Sequence, residues 1–148
     1  MENIRRARCE DLARIAEIEV FNYRLNFYPI FQNDRYYFEE LQVPKVLERY
    51  KNAVDNILVY DESGVKGFVQ VDGQEILKLF VEPVLQGQSI GGQLLDYVIR
   101  EMNARYLWAL EKNGKAISFY ISHGFYVTEN KRFEEGTDEY LVRLERKI

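Results

Sequence analysis

The stretch Glu75-Ile76-Leu77-Lys78-Leu79-Phe80-Val81-Glu82-Pro83-Val84-Leu85-Gln86-Gly87-Gln88-Ser89-Ile90-Gly91-Gly92 changes its character part-way through. Glu75 to Val81 is a short, mainly apolar run of strand length, and Pro83 ends it. Beyond the glycines, Ile90, Leu94, Leu95, Val98 and Met102 trace one face of a helix. A strand thus feeds a helix through Gln86 to Gly92, and the backbone N–H groups of that turn project beyond the sheet at a helix N-terminus. Unpaired N–H groups and a dipole end worth roughly +0.5 charge attract an anion such as phosphate, and glycine lets it approach the backbone closely. Read alone, the segment fits equally well a turn that needs glycine only for its own geometry. It lacks the Gly-Lys-Ser/Thr of a Walker loop and the spacing of a dinucleotide fingerprint.

Upstream, Ile57 to Tyr60, the turn Asp61-Glu62-Ser63-Gly64 and Val65 to Val71 form a hairpin signal. Asp72-Gly73 then leads into Glu75 to Val81, so the simplest reading is three consecutive antiparallel strands. Ile4 to Ala7 is strand-like, and Leu12, Ile15, Ala16, Ile18 and Val20 recur at helical spacing. Phe21 to Tyr50 is crowded with Phe and Tyr and broken by Pro29 and Pro44, which predicts an irregular helical region. Downstream, Tyr106 to Leu110 reads as a strand and Ala116 to Ser122 as a helix stopped by Gly124. Phe125 to Thr128 and Glu139 to Leu144 read as closing strands.

The 148 residues fit one domain over 1–148, without internal repeat or linker. Hydrophobic residues at 47% and charged residues at 30% describe a globular chain with a real core. A net charge of −4 offers no general attraction for nucleic acid or an anionic membrane, so an anionic ligand must find a local site. A single cysteine, Cys9, and a single histidine, His123, rule out an internal disulfide and the usual zinc site. No metal is expected. Without an apolar run of signal-peptide or membrane-spanning type, the expected location is the cytoplasm.

After the strand Leu107 to Leu110 comes Asn113-Gly114-Lys115-Ala116-Ile117-Ser118-Phe119-Tyr120-Ile121-Ser122-His123-Gly124-Phe125. The Gln-Gly-x-x-Ile-Gly turn followed, a strand later, by Asn-x-x-Ala-x-x-Phe-Tyr-x-x-x-Gly-Phe resembles the GNAT superfamily of acetyl-coenzyme A-dependent N-acetyltransferases. The resemblance is strongest from Glu75 to Phe125 and extends to the Ile4 to Ile18 opening. It implies an α/β (α+β) fold, with a mixed, mainly antiparallel sheet that splays between the strands ending at Val81 and Leu110. Acetyl-coenzyme A is the implied cosubstrate. Leu79, Phe80 and Val81 would offer backbone groups to its pantetheine arm, the amides of Gln88, Ser89, Ile90, Gly91 and Gly92 would carry its pyrophosphate, and Gln86 and Gly87 would also belong to the cofactor site. Asn113, with Lys115, Ala116 and Phe119 on the same motif, would meet the cofactor. Tyr120 would protonate the departing thiolate, as a phenol with an ordinary pKa of about 10 can at neutral pH. Ser89 departs from the family pattern, which usually has glycine there; its amide still donates, but it has less backbone freedom.

An acceptor amine is mostly protonated at neutral pH, so a base is required. Glu75 resembles, in its offset from Leu79, the general-base glutamate of the histone-acetylating branch, and reads equally as a solvated strand-end carboxylate. Glu111 is a second candidate. Lys112 or Lys115 is a candidate partner for the 3′-phosphate of coenzyme A, His123 reads as a cap for helix carbonyls, and Cys9 as structural. In the aromatic region, Tyr23, Tyr28 and Tyr36 or Tyr37 are candidates to line an acceptor pocket. The favoured activity is direct acetyl transfer to a primary amine of a small molecule. The alternatives are a protein N-terminal or lysine acetyltransferase and a non-catalytic acyl-coenzyme A sensor. The resemblance also admits a homodimer.

Overall fold

Ile57 to Tyr60 is buried on both faces, and a strand of that kind needs helices on both sides of its sheet. The computed structural model, which describes residues 3–147, is built that way. Seven strands run β1 (Ile4–Arg6), β2 (Ile57–Asp61), β3 (Val65–Asp72), β4 (Glu75–Val81), β5 (Tyr106–Leu110), β6 (Phe125–Phe133) and β7 (Tyr140–Arg146). Their order in the sheet is β1-β2-β3-β4-β5-β7-β6, and every neighbouring pair is antiparallel except β4 and β5. This is the mixed, mainly antiparallel α/β sheet expected from the sequence. Helices α1 (Leu12–Asn22) and α3 (Val43–Tyr50) cover one face around Ile57, Val59 and Phe68. Helices α4 (Ile90–Met102) and α5 (Gly114–Ser122) cover the other, around Leu58, Tyr60 and Val69.

Gly67 on β3 shows how closely α4 sits on the sheet. A Cβ there would lie 3.1 Å from the Phe80 carbonyl, 3.2 Å from Ile90 and 3.3 Å from Leu94, so a larger residue would push the start of α4 outward. The aromatic segment is as irregular as its prolines predict. Two π-helical stretches, Tyr23–Phe27 and Tyr36–Glu40, flank the short α2 (Tyr28–Phe31). Strand β6 runs on to Phe133, beyond the Thr128 at which the sequence signal fades. It is an edge strand, mostly exposed, and its polar residues Lys131 and Arg132 pair with β7 without an apolar alternation to mark them. Among the described residues, no helix is long and apolar enough to cross a membrane.

Two polar devices fix α1 on β4. Glu19, 1% exposed, accepts hydrogen bonds from the Tyr50 hydroxyl at 2.6 Å and from Lys78 Nζ at 2.5 Å. Burial, reinforced by the Glu19 carboxylate, drives the Tyr50 pKa far above the ordinary phenol range. Asn22, 2% exposed, donates Nδ2 to the carbonyls of Ile18 and Val81, both at 2.9 Å.

Candidate active site

Strands β4 and β5 touch only at their beginnings, where Glu75 pairs with Tyr106 and Ile76 with Leu107. Beyond that point they part. On the β3 side, Gln70 pairs with Lys78 and Val71 with Ile76, which leaves Leu77 as a bulge in β4 at the fork. The bulge changes which face each side chain meets: Ile76 and Val81 both reach the core under α4, whereas a regular strand would send them to opposite faces.

The ladder also fixes which backbone groups turn into the gap. The Glu82 N–H donates to the Lys66 carbonyl at 2.9 Å, so in this antiparallel register Glu82 and Phe80 direct their backbone groups toward β3. Leu79 and Val81 direct theirs away from it. The Val81 carbonyl is taken by Asn22, while the N–H and C=O of Leu79 and the N–H of Val81 face the space that β5 has vacated. An extended amide-bearing chain could pair there as another strand would. Of the three residues singled out on β4, Phe80 contributes its ring rather than its backbone.

On the α4 side of the fork lies a cavity of about 600 Å³. Its wall includes Leu79, Phe80 and Val81, then Gln86, Gly87, Ser89, Ile90, Gly91 and Gly92, and from the second motif Asn113, Lys115, Ala116, Phe119 and Tyr120. Gln88 alone of the sequence-nominated turn is outside that wall and is exposed. Ser89 is the N-cap of α4 at φ 66° and ψ 12°, a left-handed conformation that costs a non-glycine residue roughly 1 kcal/mol. Its hydroxyl caps no helix amide, and no acceptor among the described residues takes the N–H groups of Ile90, Gly91 or Gly92. These donors remain available at the positive end of the helix. Gln86 ties the turn to its surroundings: its amide donates to Asn22 Oδ1 at 3.1 Å, and its carbonyl oxygen accepts from Lys115 Nζ at 3.3 Å. Asn113 caps α5, its side chain accepting from the Ala116 N–H at 3.3 Å.

A second cavity, of about 630 Å³, opens between the aromatic segment, the fork and the β6–β7 hairpin. Tyr23, Tyr36 and Tyr37 line it, as do Glu75, Lys78, Trp108, Arg132, Glu134 and Glu135. Burial raises the Tyr23 pKa well above the ordinary phenol value and pushes that of Tyr37 up to about 12, so both hydroxyls remain protonated donors. Tyr28 is not in this wall; its hydroxyl is turned to Asp34. Glu111 and Lys112 are also outside both walls, because ion pairs claim them: Lys131 Nζ lies 2.5 Å from Glu111, and Lys112 Nζ lies 2.9 Å from Glu139. Glu75 is therefore the sequence-nominated carboxylate that reaches a cavity. Cys9 is exposed in the turn before α1 rather than packed as a structural thiol.

The two cavities share Phe27, Leu79, Phe80, Asn113, Ala116 and Tyr120. Tyr120, only 8% exposed, packs edge-on against Phe119 and Phe125, and burial alone raises its pKa above the ordinary phenol range. No group among the described residues hydrogen-bonds to its hydroxyl. The phenol is thus a protonated donor, unspent within the protein, at the junction of the two spaces.

The pattern of the acetyltransferase (GNAT) domain matches residues 53–127, from just before β2 into β6. The chain belongs to the GNAT acetyltransferases. Among curated relatives of this GNAT chain, the peptidyl-lysine N-acetyltransferase YiaC of Escherichia coli K12 is 28% identical over 88 residues, which are 59% of this chain and 60% of that protein. The peptidyl-lysine N-acetyltransferase YjaB of Salmonella typhimurium is 28% identical over 79 residues, 53% of this chain and 54% of that protein. The matches thus span little more than half the length of either relative. Among solved structures, apo YjaB from Escherichia coli superposes with a TM-score of 0.75 at 21% identity, covering 97% of this chain and 95% of that one. The PaiA N-acetyltransferase of Thermoplasma acidophilum, in complex with coenzyme A, gives 0.66 at 20% identity, covering 95% and 96%. At these identities the likeness to the solved structures is one of fold.

The sequence reading missed Asn22, Glu19 and the bulge at Leu77. Asn22 left a trace, a poor helix former between the apolar Ile18 and Val20 and the aromatic Tyr23. Nothing local marks Glu19 as different from the half-buried Glu17.

Proposed function

We propose that this protein transfers an acetyl group from acetyl-coenzyme A to a primary amine, and that the ε-amine of a protein lysine is its acceptor. The observation that carries this reading is the wall common to the two cavities, in which an unpaired backbone edge at Leu79 and a protonated, unpartnered Tyr120 meet. The cosubstrate supplies the acyl group already activated as a thioester. Leu79 and Val81 hold the amide-bearing arm as an added strand, and the amides of Ser89 to Gly92 bind the diphosphate. The Leu79 N–H also stabilises the carbonyl oxygen as it gains charge. Glu75 takes the proton of the acceptor ammonium, directly or through water. The neutral nitrogen then attacks, a C–N bond forms, the C–S bond breaks, Tyr120 gives its proton to the leaving sulfur, and the second proton shed by the nitrogen as it becomes an amide restores the phenol.

Two features favour lysine. The second cavity joins aromatic walls, suited to an aliphatic stem, to the carboxylates Glu134 and Glu135 on an exposed hairpin. The curated relatives YiaC and YjaB are named as peptidyl-lysine enzymes. A small-molecule amine is the second reading, favoured by the way Tyr23, Phe27, Tyr36 and Tyr37 wrap that cavity. The test is to incubate the protein with acetyl-coenzyme A and either a lysine-containing peptide set or a panel of small primary amines, and to weigh the products by mass spectrometry. Acetylated lysine in the peptides is expected. Acetylation confined to small amines overturns the lysine assignment, and no acetylation of any amine overturns the transferase reading.

A further inference from the structure

The only histidine of the chain stands at the end of α5, in the wall of the 600 Å³ cavity, and its surroundings fix which nitrogen faces outward. His123 Nδ1 lies 2.8 Å from the Phe119 carbonyl oxygen. A carbonyl can only accept, so Nδ1 carries the hydrogen, and in the neutral ring Nε2 keeps its lone pair. The ring is held further by Phe119, with centroids 4.5 Å apart. Nε2 points at the first turn of α4: a Cβ built on Gly92 would lie only 3.1 Å from it. Gly92 and His123 line the same cavity, and among the described residues the amides of Ile90, Gly91 and Gly92 have no protein acceptor.

We propose that His123, through Nε2, is a pH-dependent contact for the diphosphate of the bound nucleotide. This rests on the cofactor assignment made above and goes beyond it, because the position of His123 before Gly124 at the helix end predicted only a capping role. When the ring is neutral, a lone pair faces the anion; when it is protonated, an N–H carrying positive charge faces it. Imidazole makes that change between about pH 5 and 8. Asp96, one turn beyond Gly92 on α4, and Lys115 on α5 line the same cavity, and Lys147 follows β7, its backbone N–H donating to the Gly124 carbonyl at 3.0 Å. Among the described residues none of the three forms an ion pair with His123, so the ring is not already committed to a carboxylate.

A single histidine makes the test direct, since untagged protein has one imidazole signal to follow by NMR. Dephospho-coenzyme A is the probe, because its diphosphate stays fully ionised across the range and contributes no titration of its own. The expected result is that the His123 titration moves up by about one pH unit on binding, matched by about tenfold tighter binding at pH 5.5 than at pH 8. In the His123→Gln variant, whose amide can still donate to the Phe119 carbonyl, the affinity should change far less with pH. Pantetheine, which has no phosphate, should leave the His123 titration where it is. A midpoint unmoved by bound dephospho-coenzyme A, or an equal pH response in the variant, overturns the proposal and leaves the cofactor site standing. Failure of the wild type to bind the probe at any pH overturns the cofactor site itself, and this proposal with it.

Discussion

The two cavities that meet at Tyr120 are of similar size and are built in opposite ways. The cavity we assign to the cofactor is made of regular parts, a strand edge, a helix N-terminus and a helix face, and its donors are mainly backbone groups. The cavity we assign to the acceptor is made of irregular parts, π-helical turns and a hairpin, and presents side chains: tyrosine rings, Lys78, Arg132 and carboxylates. Backbone donors serve one invariant ligand and depend little on which side chains surround them. A wall of side chains can be altered without disturbing the sheet, as suits the half of the site that selects the acceptor. The difference predicts that substitutions on the two sides separate cleanly in their kinetic effects.

The largest effect belongs to the junction. Tyr120→Phe removes only the hydroxyl, so kcat should fall by about 10²- to 10⁴-fold while acetyl-coenzyme A binding is unchanged. Steady-state kinetics beside a binding titration would show it, and an unaltered kcat would remove Tyr120 from the chemistry. Next is Leu79→Pro. Because the Leu79 N–H faces the fork and not β3, the ladder loses no hydrogen bond, and the sheet should persist by circular dichroism. Coenzyme A affinity should fall about tenfold, the worth of one hydrogen bond of about 1.4 kcal/mol. On the other side, Tyr36→Ala should raise the acceptor KM severalfold, by about 1 kcal/mol of lost aromatic contact, and leave cofactor affinity alone. A change in cofactor affinity there would break the division between the two halves. The smallest effect is that of Ser89→Gly, which relieves the left-handed strain and should raise stability by no more than about 1 kcal/mol, read as a rise in Tm.

The same contrast explains how much the sequence disclosed. Strand β4, the glycine turn, α4 and β5 were legible almost to the residue, because each rests on local period, proline and glycine. The fork was expected only through the family resemblance, since what makes it is the pairing of Glu75 and Ile76 alone and a bulge at Leu77. Side chains whose partners are distant in sequence were not legible at all. Glu111, Lys112 and Tyr28 were plausible site residues until Lys131, Glu139 and Asp34 claimed them. Glu19 and Asn22 carry the converse lesson: they belong to an ordinary amphipathic helix until β4 and Tyr50 arrive to bury them.

The central claim is that the fork between β4 and β5 holds the pantetheine arm of acetyl-coenzyme A, with its diphosphate on the first turn of α4. Calorimetric titration with acetyl-coenzyme A, and with coenzyme A in parallel, tests it most directly. Saturable binding of one equivalent in the micromolar range, about −8 kcal/mol, is the predicted result. Absence of binding by both ligands to folded protein would contradict it.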